Sequence, residues 1–343
     1  MPPFAAPKAA LLAAFQDAAS ADLTRALAEG GPSLEALILE QQLGPLWHAR
    51  TKVPPFAKSR ADAAMFYIRQ TAALRDIDDL FEQRGIRYAV FKGAGIRDLI
   101  YDDPSVRVCW DIDVLVAPDQ RTAAAGALVD AGYRLRVDPM LASHEVTLTK
   151  DLVAIDLHWQ LLRPGRTPPS MTSQMLERRA RHGDAWTLSD ADTLLVLLVH
   201  PTFSKHLSTS QMGLHRLADI ALWLQKRRTE WPSLVRELDT AGLKTAAWTM
   251  LSLVRMLSPD RFTEVLDPPL RALQPNRLRA AYLRTWLTRD LSARFAHLHL
   301  ARLLGFSVFL HDQPSGAWRA LRGWQRSRGS REEDTSVFEG LTK

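Results

Sequence analysis

The sequence predicts an α+β protein with an α/β core, in which a mixed sheet is flanked by N-terminal helices and by a larger C-terminal helical region. Three observations lead to this class. Apolar residues recur at helical spacing from residue 5 to about 84, short strand-like runs follow between 86 and 160, and helical spacing returns from 164 to about 325. We therefore expect a helical region over 1–84, a core over 85–162, a helical domain over 163–325 and a flexible tail over 326–343.

Five strands and two helices are expected in the core. The strand segments are rich in Val, Ile and Tyr and are bounded by Gly, Pro, Asp or Lys. They read IRYAVF at 86–91, DIDVLV at 111–116, YRLRV at 133–137, EVTLT at 145–149 and LVAIDLHW at 152–159. The helices read GIRDLIY at 95–101 and PDQRTAAAGALVDAG at 118–132. Gly85 follows the last N-terminal helix, where a left-handed cap is expected.

Composition and charge limit the possible functions. The 343 residues exceed the ~250 to 300 at which one hydrophobic core stops growing, so two or three packed units are expected. A net charge of +6 favours polyanionic partners such as nucleoside triphosphates or nucleic acid. The single cysteine, Cys109, excludes an intramolecular disulfide and a cysteine-based zinc site. The first 23 residues are expected to be a helix and not a signal peptide, no run is long enough to span a bilayer, and we expect a cytoplasmic protein.

Three Asp-x-Asp triplets occur, and two of them have structural explanations. Asp76 and Asp78 lie in a helical segment, where residues two apart point in different directions and cannot hold one ion together, so we expect a solvated face. Asp190 and Asp192 follow Ser189 directly before an apolar run, which is typical of a helix cap.

The third triplet lies in a strand-like segment. The period of two in a strand puts Asp111 and Asp113 on one face and the apolar residues of DIDVLV on the other. Two buried like charges are costly unless a divalent cation compensates them, although an edge strand with a wet polar face is an equal alternative. Asp156, alone in the apolar segment LVAIDLHW, favours the metal site. If its strand lies beside the first, the three carboxylates can hold two Mg²⁺ ions, with Mn²⁺ as an alternative.

A glycine turn precedes the triplet. In FKGAGI, Gly93 and Gly95 let backbone N–H groups approach phosphate oxygens at the start of a helix, and Lys92 and Arg97 can add positive charge. The turn matches neither the dinucleotide fingerprint nor the P-loop. Its value as a phosphate site depends on the carboxylates that follow.

The order FKGAG, WDIDVLV and AIDLHW resembles the DNA polymerase β-like nucleotidyltransferase superfamily, and within it the family of uncharacterised nucleotidyltransferases. The resemblance implies a polymerase β-like sheet, two Mg²⁺ ions and transfer of a nucleoside monophosphate from an NTP to an acceptor hydroxyl or phosphate. It implies that Asp111, Asp113 and Asp156 are catalytic and bind the metal. It also implies that the substrate-binding residues are Lys92, Gly93, Ala94, Arg97, Arg107 and His158. Ala94 stands where the superfamily usually has serine, which removes one phosphate contact.

Several histidines allow more than one interpretation. His158 shares a strand face with Asp156, where it can orient a carboxylate, contact phosphate or serve as a buried core histidine. His200, His206 and His215 match no zinc motif, so packing or contact with a base or acceptor is expected.

Arginine-rich segments leave further alternatives open. Arginines 163, 166, 178, 179 and 181 can line a cleft that faces an anionic acceptor, or form a solvated surface. Trp318 and Trp324 are interleaved with Arg319, Arg322, Arg326, Arg328 and Arg331, a composition compatible with RNA or a membrane surface. The rival hypotheses are therefore a nucleotide-binding protein without turnover and an RNA-binding helical module. The acceptor stays open between a peptide, a protein, a tRNA and a small metabolite, and tailoring of a peptide or natural product is one option.

Overall fold

The computed structural model of the chain describes residues 20–137, 143–207, 213–257, 259–295, 297–329, 338 and 341. Within these residues the chain forms two compact units. Described parts of Met1–Ala64 and Leu197–Pro314 form a helical unit, and those of Met65–Val196 and Ser315–Lys343 form a unit that contains the sheet. Most of the predicted tail over 326–343 lies outside the described residues.

Seven strands of the described residues form one mixed sheet. They are β1 Tyr88–Phe91, β2 Ile112–Val116, β3 Arg134–Arg136, β4 Glu145–Lys150, β5 Val153–His158, β6 Ala180–His182 and β7 Ala185–Thr187. The order across the sheet is β3-β4-β5-β2-β1-β7-β6. The pairs β2–β5 and β1–β7 are parallel, and the other neighbours are antiparallel. The α+β class with a mixed sheet is therefore confirmed.

Helices precede, separate and follow these strands along the chain. They are α1 Ser20–Glu40, α2 Gly44–Thr51, α3 Ala57–Gln83, α4 Lys92–Ile100, α5 Arg121–Asp130, α6 Met171–Glu177, α7 Asp190–Ser204, α8 Leu214–Lys226, α9 Trp231–Ala241, α10 Lys244–Leu257, α11 Pro259–Leu273, α12 Arg277–Thr288, α13 Leu291–Arg294, α14 His299–Gly305 and α15 Pro314–Gly329. Gly85, after α3, has φ +63°, which fits the predicted left-handed cap.

One face of the sheet is apolar and packs on α3 and α5. Val90, Val114 and Ile155 alternate inward along β1, β2 and β5, and they pack with Phe81 of α3 and Leu128 of α5. Each such side chain contributes roughly 1.5–3 kcal/mol when fully buried. The period of two places the alternate residues of these strands on the opposite face.

The two strands β6 and β7 were not expected, since residues after 164 carry a helical pattern. The prediction of helix over 180–187 is wrong. Each strand has only three residues, too few for alternation to appear in the sequence. They form because Thr187 pairs with Val90 at the free edge of β1, a contact between residues distant in the chain.

In the helical unit, most residues of α10 are buried. Trp248 and Leu251 are almost completely enclosed. Its amino end is capped by Asp312, which accepts hydrogen bonds from the N–H groups of Lys244 at 2.7 Å and Thr245 at 2.9 Å. A residue remote in sequence thus satisfies two of the unpaired donors at the helix start.

The predictions for the other two Asp-x-Asp triplets compare differently with the structure. Ser189 caps α7 as predicted, because its Oγ accepts the Asp192 N–H at 3.2 Å. The prediction that Asp76 and Asp78 form a solvated face is wrong for Asp78. Asp78 is buried, accepts the Tyr88 hydroxyl at 2.5 Å and pairs with Arg181 at 2.5 Å, while Asp76 is exposed.

We predict that Asp78→Ala destabilises the protein by about 2–4 kcal/mol. The change leaves the buried Tyr88 hydroxyl without its acceptor and removes one of the two carboxylate partners of Arg181, which is partly exposed and keeps Glu82 at 3.0 Å. Urea unfolding measures the effect, and Asp76→Ala, two residues earlier on the same helix, is the matched control. Equal stability of the two variants would contradict the assignment of a buried ion pair.

Candidate active site

Two carboxylates lie side by side on the polar face of the sheet. β2 and β5 run parallel, and the register pairs Asp113 directly with Asp156. Both side chains therefore point to the same face, while Val114 and Ile155 point into the core on the other. The sequence predicted this meeting of strands only on condition that they were neighbours, and they are.

His158 joins the two aspartates. It follows Asp156 by two residues in β5, is 1% exposed, and its Nε2 lies 2.9 Å from Asp113 Oδ1. One ligand atom each from Asp113, Asp156 and His158 lies within 4.8 Å of the others. Two carboxylates and an imidazole at this spacing fit the donor set of a divalent metal ion.

Asp111 lies just outside the strand. β2 begins at Ile112, one residue later than predicted, so Asp111 precedes the pleat and is not among the three residues whose ligand atoms converge. Asp111 nevertheless interacts electrostatically with Asp113 and Asp156. Burial, followed by Asp113 and Asp156, raises the pKa of Asp111 to about 7. The role of Asp111 as a metal ligand stays a prediction.

Lys92 supplies a positive charge within the cluster. Its Nζ lies 2.6 Å from Asp113 Oδ1 and 3.4 Å from His158 Nε2. Burial opposes ionisation of Asp113, but Lys92 and His158 outweigh it and hold the pKa of Asp113 well below its usual value. Asp113 is therefore a carboxylate at any physiological pH, the form that a metal ion requires.

The backbone of Lys92 is strained. Its φ is +53°, in the left-handed region, which costs a residue with a side chain about 1–3 kcal/mol. The strain arises where β1 ends at Phe91 and α4 begins at the next residue. The strained residue is thus the one whose side chain reaches Asp113.

Both glycines of the turn are required by close packing. A Cβ on Gly95 would lie 2.6 Å from the Val90 carbonyl oxygen, and one on Gly93 would lie 2.7 Å from Cys109 Sγ. The same Cβ on Gly93 would be 3.6 Å from Arg107 Nη2. The Arg107 guanidinium is therefore next to the glycine turn, in a position to contact an anion bound at the start of α4.

Arg97 occupies a different position. It is 1% exposed, donates to Gln70 Oε1 at 2.6 Å, and its guanidinium lies 4.6 Å from the centre of the Tyr67 ring. Gln70 in turn donates to the Cys109 carbonyl at 3.1 Å. These contacts join α4 to α3 and to the loop before β2, and none of them involves the carboxylate cluster.

Sequence reasoning missed Glu145 and Thr147, which project from β4 onto the same face. The Thr147 hydroxyl donates to Asp156 Oδ1 at 2.7 Å. Glu145 Oε2 lies 3.0 Å from His158 Nδ1, and although burial opposes its ionisation, His158 lowers the pKa of Glu145 to about 2. The alternation of polar residues in EVTLT was the available signal, but it is ordinary for a half-exposed strand.

Other predicted residues lie elsewhere. His200, His206 and His215 belong to the helical unit, where His206 Nδ1 is 2.9 Å from Ser307 Oγ. The sole metal-type cluster among the described residues does not include them.

The arginine-rich segments have the following placements. Arg178 and Arg181 pair with the buried carboxylates of Asp192 and Asp78. Trp318 is exposed with Arg322 above its ring, whereas the side chains of Trp324, Arg326, Arg328 and Arg331 lie outside the described residues.

The topology and the cluster together define a nucleotidyltransferase-type domain. A strand leads through a glycine turn into a helix, the next strand carries an aspartate, and a parallel neighbour carries another beside it. The family described as uncharacterised nucleotidyltransferases matches residues 46–259, more than half of the chain, and the chain belongs to this family. No curated protein matches the sequence at a significant level.

Membership in this family supports transferase activity and implies a nucleotide substrate. Among the described residues, no helix is both long and apolar enough to cross a membrane.

We predict that Asp111→Asn stabilises the metal-free protein at pH 8 and has little effect at pH 4. The folded state keeps a proton on Asp111 up to about pH 7, whereas the unfolded chain loses it near 3.8, so this group lowers stability as pH rises between those values. The loss at pH 8 is on the order of 4 kcal/mol. Thermal unfolding in EDTA at both pH values measures it.

The control for this prediction is Asp119→Asn, because Asp119 is an exposed aspartate close to β2. A gain in stability for Asp111→Asn that is the same at both pH values would show that the burial of a charged Asp111 is not its cause.

Proposed function

We propose that the protein is a metal-dependent nucleotidyltransferase that moves a nucleoside monophosphate from an NTP to an acceptor hydroxyl or phosphate. The observation that carries the proposal is the direct pairing of Asp113 with Asp156 on adjacent parallel strands, beside the glycine turn. Burying such a pair costs free energy, and bound divalent cations would offset this cost. Membership in the family supports the same reaction type.

The metal ligands in this proposal are Asp111, Asp113 and Asp156, and the ions are two Mg²⁺, with Mn²⁺ as an alternative. When bound, such ions lower the pKa of an attacking hydroxyl and neutralise the leaving pyrophosphate. The protein contributes a rigid support, because the register of β2 and β5 fixes the spacing of Asp113 and Asp156.

The triphosphate is proposed to bind at the start of α4. The N–H groups of Gly93 and Ala94 lie in the first turn of this helix, whose end carries partial positive charge. Lys92 would exchange its contact with Asp113 for a phosphate oxygen, and Arg107 would contact the same group from the far side of Gly93. Arg97 would not contact the triphosphate and would instead hold α4 in place through its hydrogen bond to Gln70.

Asp156 is the proposed base for the acceptor. Burial, followed by Asp113, raises the pKa of Asp156, which brings its carboxylate closer to the range useful for accepting a proton. The Thr147 hydroxyl at 2.7 Å occupies Oδ1 and leaves Oδ2 for the acceptor. The acceptor classes remain a peptide, a protein, a tRNA or a small metabolite, with tailoring of a peptide or natural product among them. We expect the reaction in the cytoplasm, where NTPs are abundant.

One alternative is a protein of this fold that binds nucleotide without turnover. Ala94 motivates it, because this position in the turn is buried and lacks the hydroxyl that would contact phosphate. Nucleotide would then bind in a manner that depends on Asp113, and no product would form.

The first test is release of pyrophosphate and transfer of label from α-labelled NTPs with Mg²⁺ or Mn²⁺, using a cell extract as the source of acceptor. Asp113→Asn and Asp156→Asn should each reduce the rate by about a thousandfold, because metal assistance worth several kcal/mol is lost and each ~1.4 kcal/mol is tenfold. Thr149→Val, on the same face of β4 opposite Ala154, is the control. Metal-dependent binding without product would favour the alternative, and neither binding nor product would remove both.

We further predict that Lys92→Met has opposite effects on the two ligands. Affinity for a non-hydrolysable NTP should fall about 10- to 100-fold, since a charge-assisted hydrogen bond is worth about 1.5–3 kcal/mol. Affinity for Mn²⁺ without nucleotide should rise, because Lys92 no longer competes for Asp113. Calorimetric titration measures both quantities, with Lys58→Met at an exposed lysine as the control. Parallel loss of both affinities would contradict the role given to Lys92.

A further inference from the structure

His158 faces the carboxylate cluster with one ring nitrogen. Its Nε2 lies 2.9 Å from Asp113 Oδ1, and the cluster places one of its nitrogens within 4.8 Å of ligand atoms of both Asp113 and Asp156. The ring is held in place by the edge of Phe91, whose centre is 5.0 Å away. The imidazole is 1% exposed and is shielded from bulk water, so its nitrogens interact with the side chains around it.

A cation already lies beside both the carboxylate and the imidazole. Lys92 Nζ is 2.6 Å from Asp113 Oδ1 and 3.4 Å from His158 Nε2. The space beside Oδ1 and Nε2 therefore accommodates a positive group.

Glu145 lies next to the other ring nitrogen of His158. The register of β4 and β5 pairs Glu145 with His158, and Glu145 Oε2 lies 3.0 Å from His158 Nδ1. The second histidine beside Glu145 is His144, whose Nε2 lies 3.6 Å from the same oxygen. His158 Nδ1 is therefore the nearer of the two imidazole nitrogens to this oxygen.

A histidine that binds a metal through one nitrogen usually donates its other N–H to a carboxylate or carbonyl, which fixes the tautomer and the ring orientation. Glu145 occupies the position of that carboxylate, 3.0 Å from Nδ1, although the two atoms are not aligned as a hydrogen bond in this structure. In this structure both ring nitrogens face carboxylate oxygens. A bound ion would take the place of the proton on Nε2, whose lone pair would then point at the ion beside Asp113 and Asp156.

We infer that His158 is itself a metal ligand, positioned by Glu145, so that the site has a mixed oxygen and nitrogen donor set that favours Mn²⁺ or a similar transition-metal ion over Mg²⁺. Oxygen ligands alone suit Mg²⁺, whereas a nitrogen ligand raises the affinity for first-row transition-metal ions, among which Mn²⁺ also accepts oxygen ligands. This inference rests on the metal dependence in the proposed function, and it adds a nitrogen ligand to the carboxylates proposed there.

The direct test is pulsed electron paramagnetic resonance of Mn²⁺ bound to the full chain without nucleotide. Modulation from a directly coordinated ¹⁴N nucleus is expected in the wild type and should disappear in His158→Gln, whose amide oxygen has a similar reach. The ratio of Mn²⁺ to Mg²⁺ affinity should fall about tenfold or more in this variant, since the remaining donors are all oxygens. Thr149→Val should retain both the modulation and the ratio.

The positioning role of Glu145 has its own test. Glu145→Ala should weaken Mn²⁺ binding about 10- to 100-fold, the usual effect of removing the outer partner of a metal-bound histidine. Glu145→Gln should restore most of the affinity, because its amide oxygen accepts the same Nδ1–H. A merely structural role would lower the melting temperature in both variants and leave the affinity ratio of the two ions unchanged.

The outcomes separate this inference from the proposed function. If wild-type Mn²⁺ shows no nitrogen coupling, or if His158→Gln keeps the wild-type affinity ratio, His158 is not a ligand, and Mg²⁺-dependent transfer can still occur through the aspartates. If nitrogen coupling is present but no NTP is turned over, the inference stands and the proposed reaction fails. Absence of any Mn²⁺ binding overturns the inference, and the assay of Mg²⁺-dependent transfer then decides the proposed function by itself.

Discussion

The parallel pairing of β2 with β5 is the constraint on which the site depends, because it puts Asp113 and Asp156 next to each other. Two neighbouring carboxylates repel each other and lose hydration, so this pairing opposes folding unless other forces impose it. The apolar face imposes it. A shift by one residue would turn Asp113 into the core and Ile112 out of it, so the packing against α3 and α5 fixes the register that the charges alone would reject. The site is thus stabilised from the opposite face of the sheet.

Much of this arrangement could be predicted from the sequence. Asp113 and Asp156 were found because a carboxylate inside an apolar strand is rare, and the glycine turn because glycine permits close approach. Glu145 and Thr147 could not be found in this way. A polar residue at every second position of a strand is the normal pattern of a half-exposed sheet, so its functional members look like any others.

Partners that are distant in the chain explain the remaining errors. The periodicity of α3 correctly gives a helix, but it does not reveal that Arg181, 103 residues later, turns Asp78 from a surface residue into a buried one. β6 and β7 are likewise formed by an edge that another segment provides. Local pattern predicts an element when the element is long enough to show its period, and it fails when a contact from elsewhere decides the outcome.

The cap on α10 has a consequence for the order in which the chain becomes stable. Asp312 lies 68 residues beyond the helix start that it satisfies. At a ribosomal rate of ~5–20 residues per second, α10 emerges several seconds before its cap exists. In that interval the amino end of an apolar helix has unsatisfied N–H donors, and a nascent chain that stops short of Asp312 would be a natural substrate for chaperones.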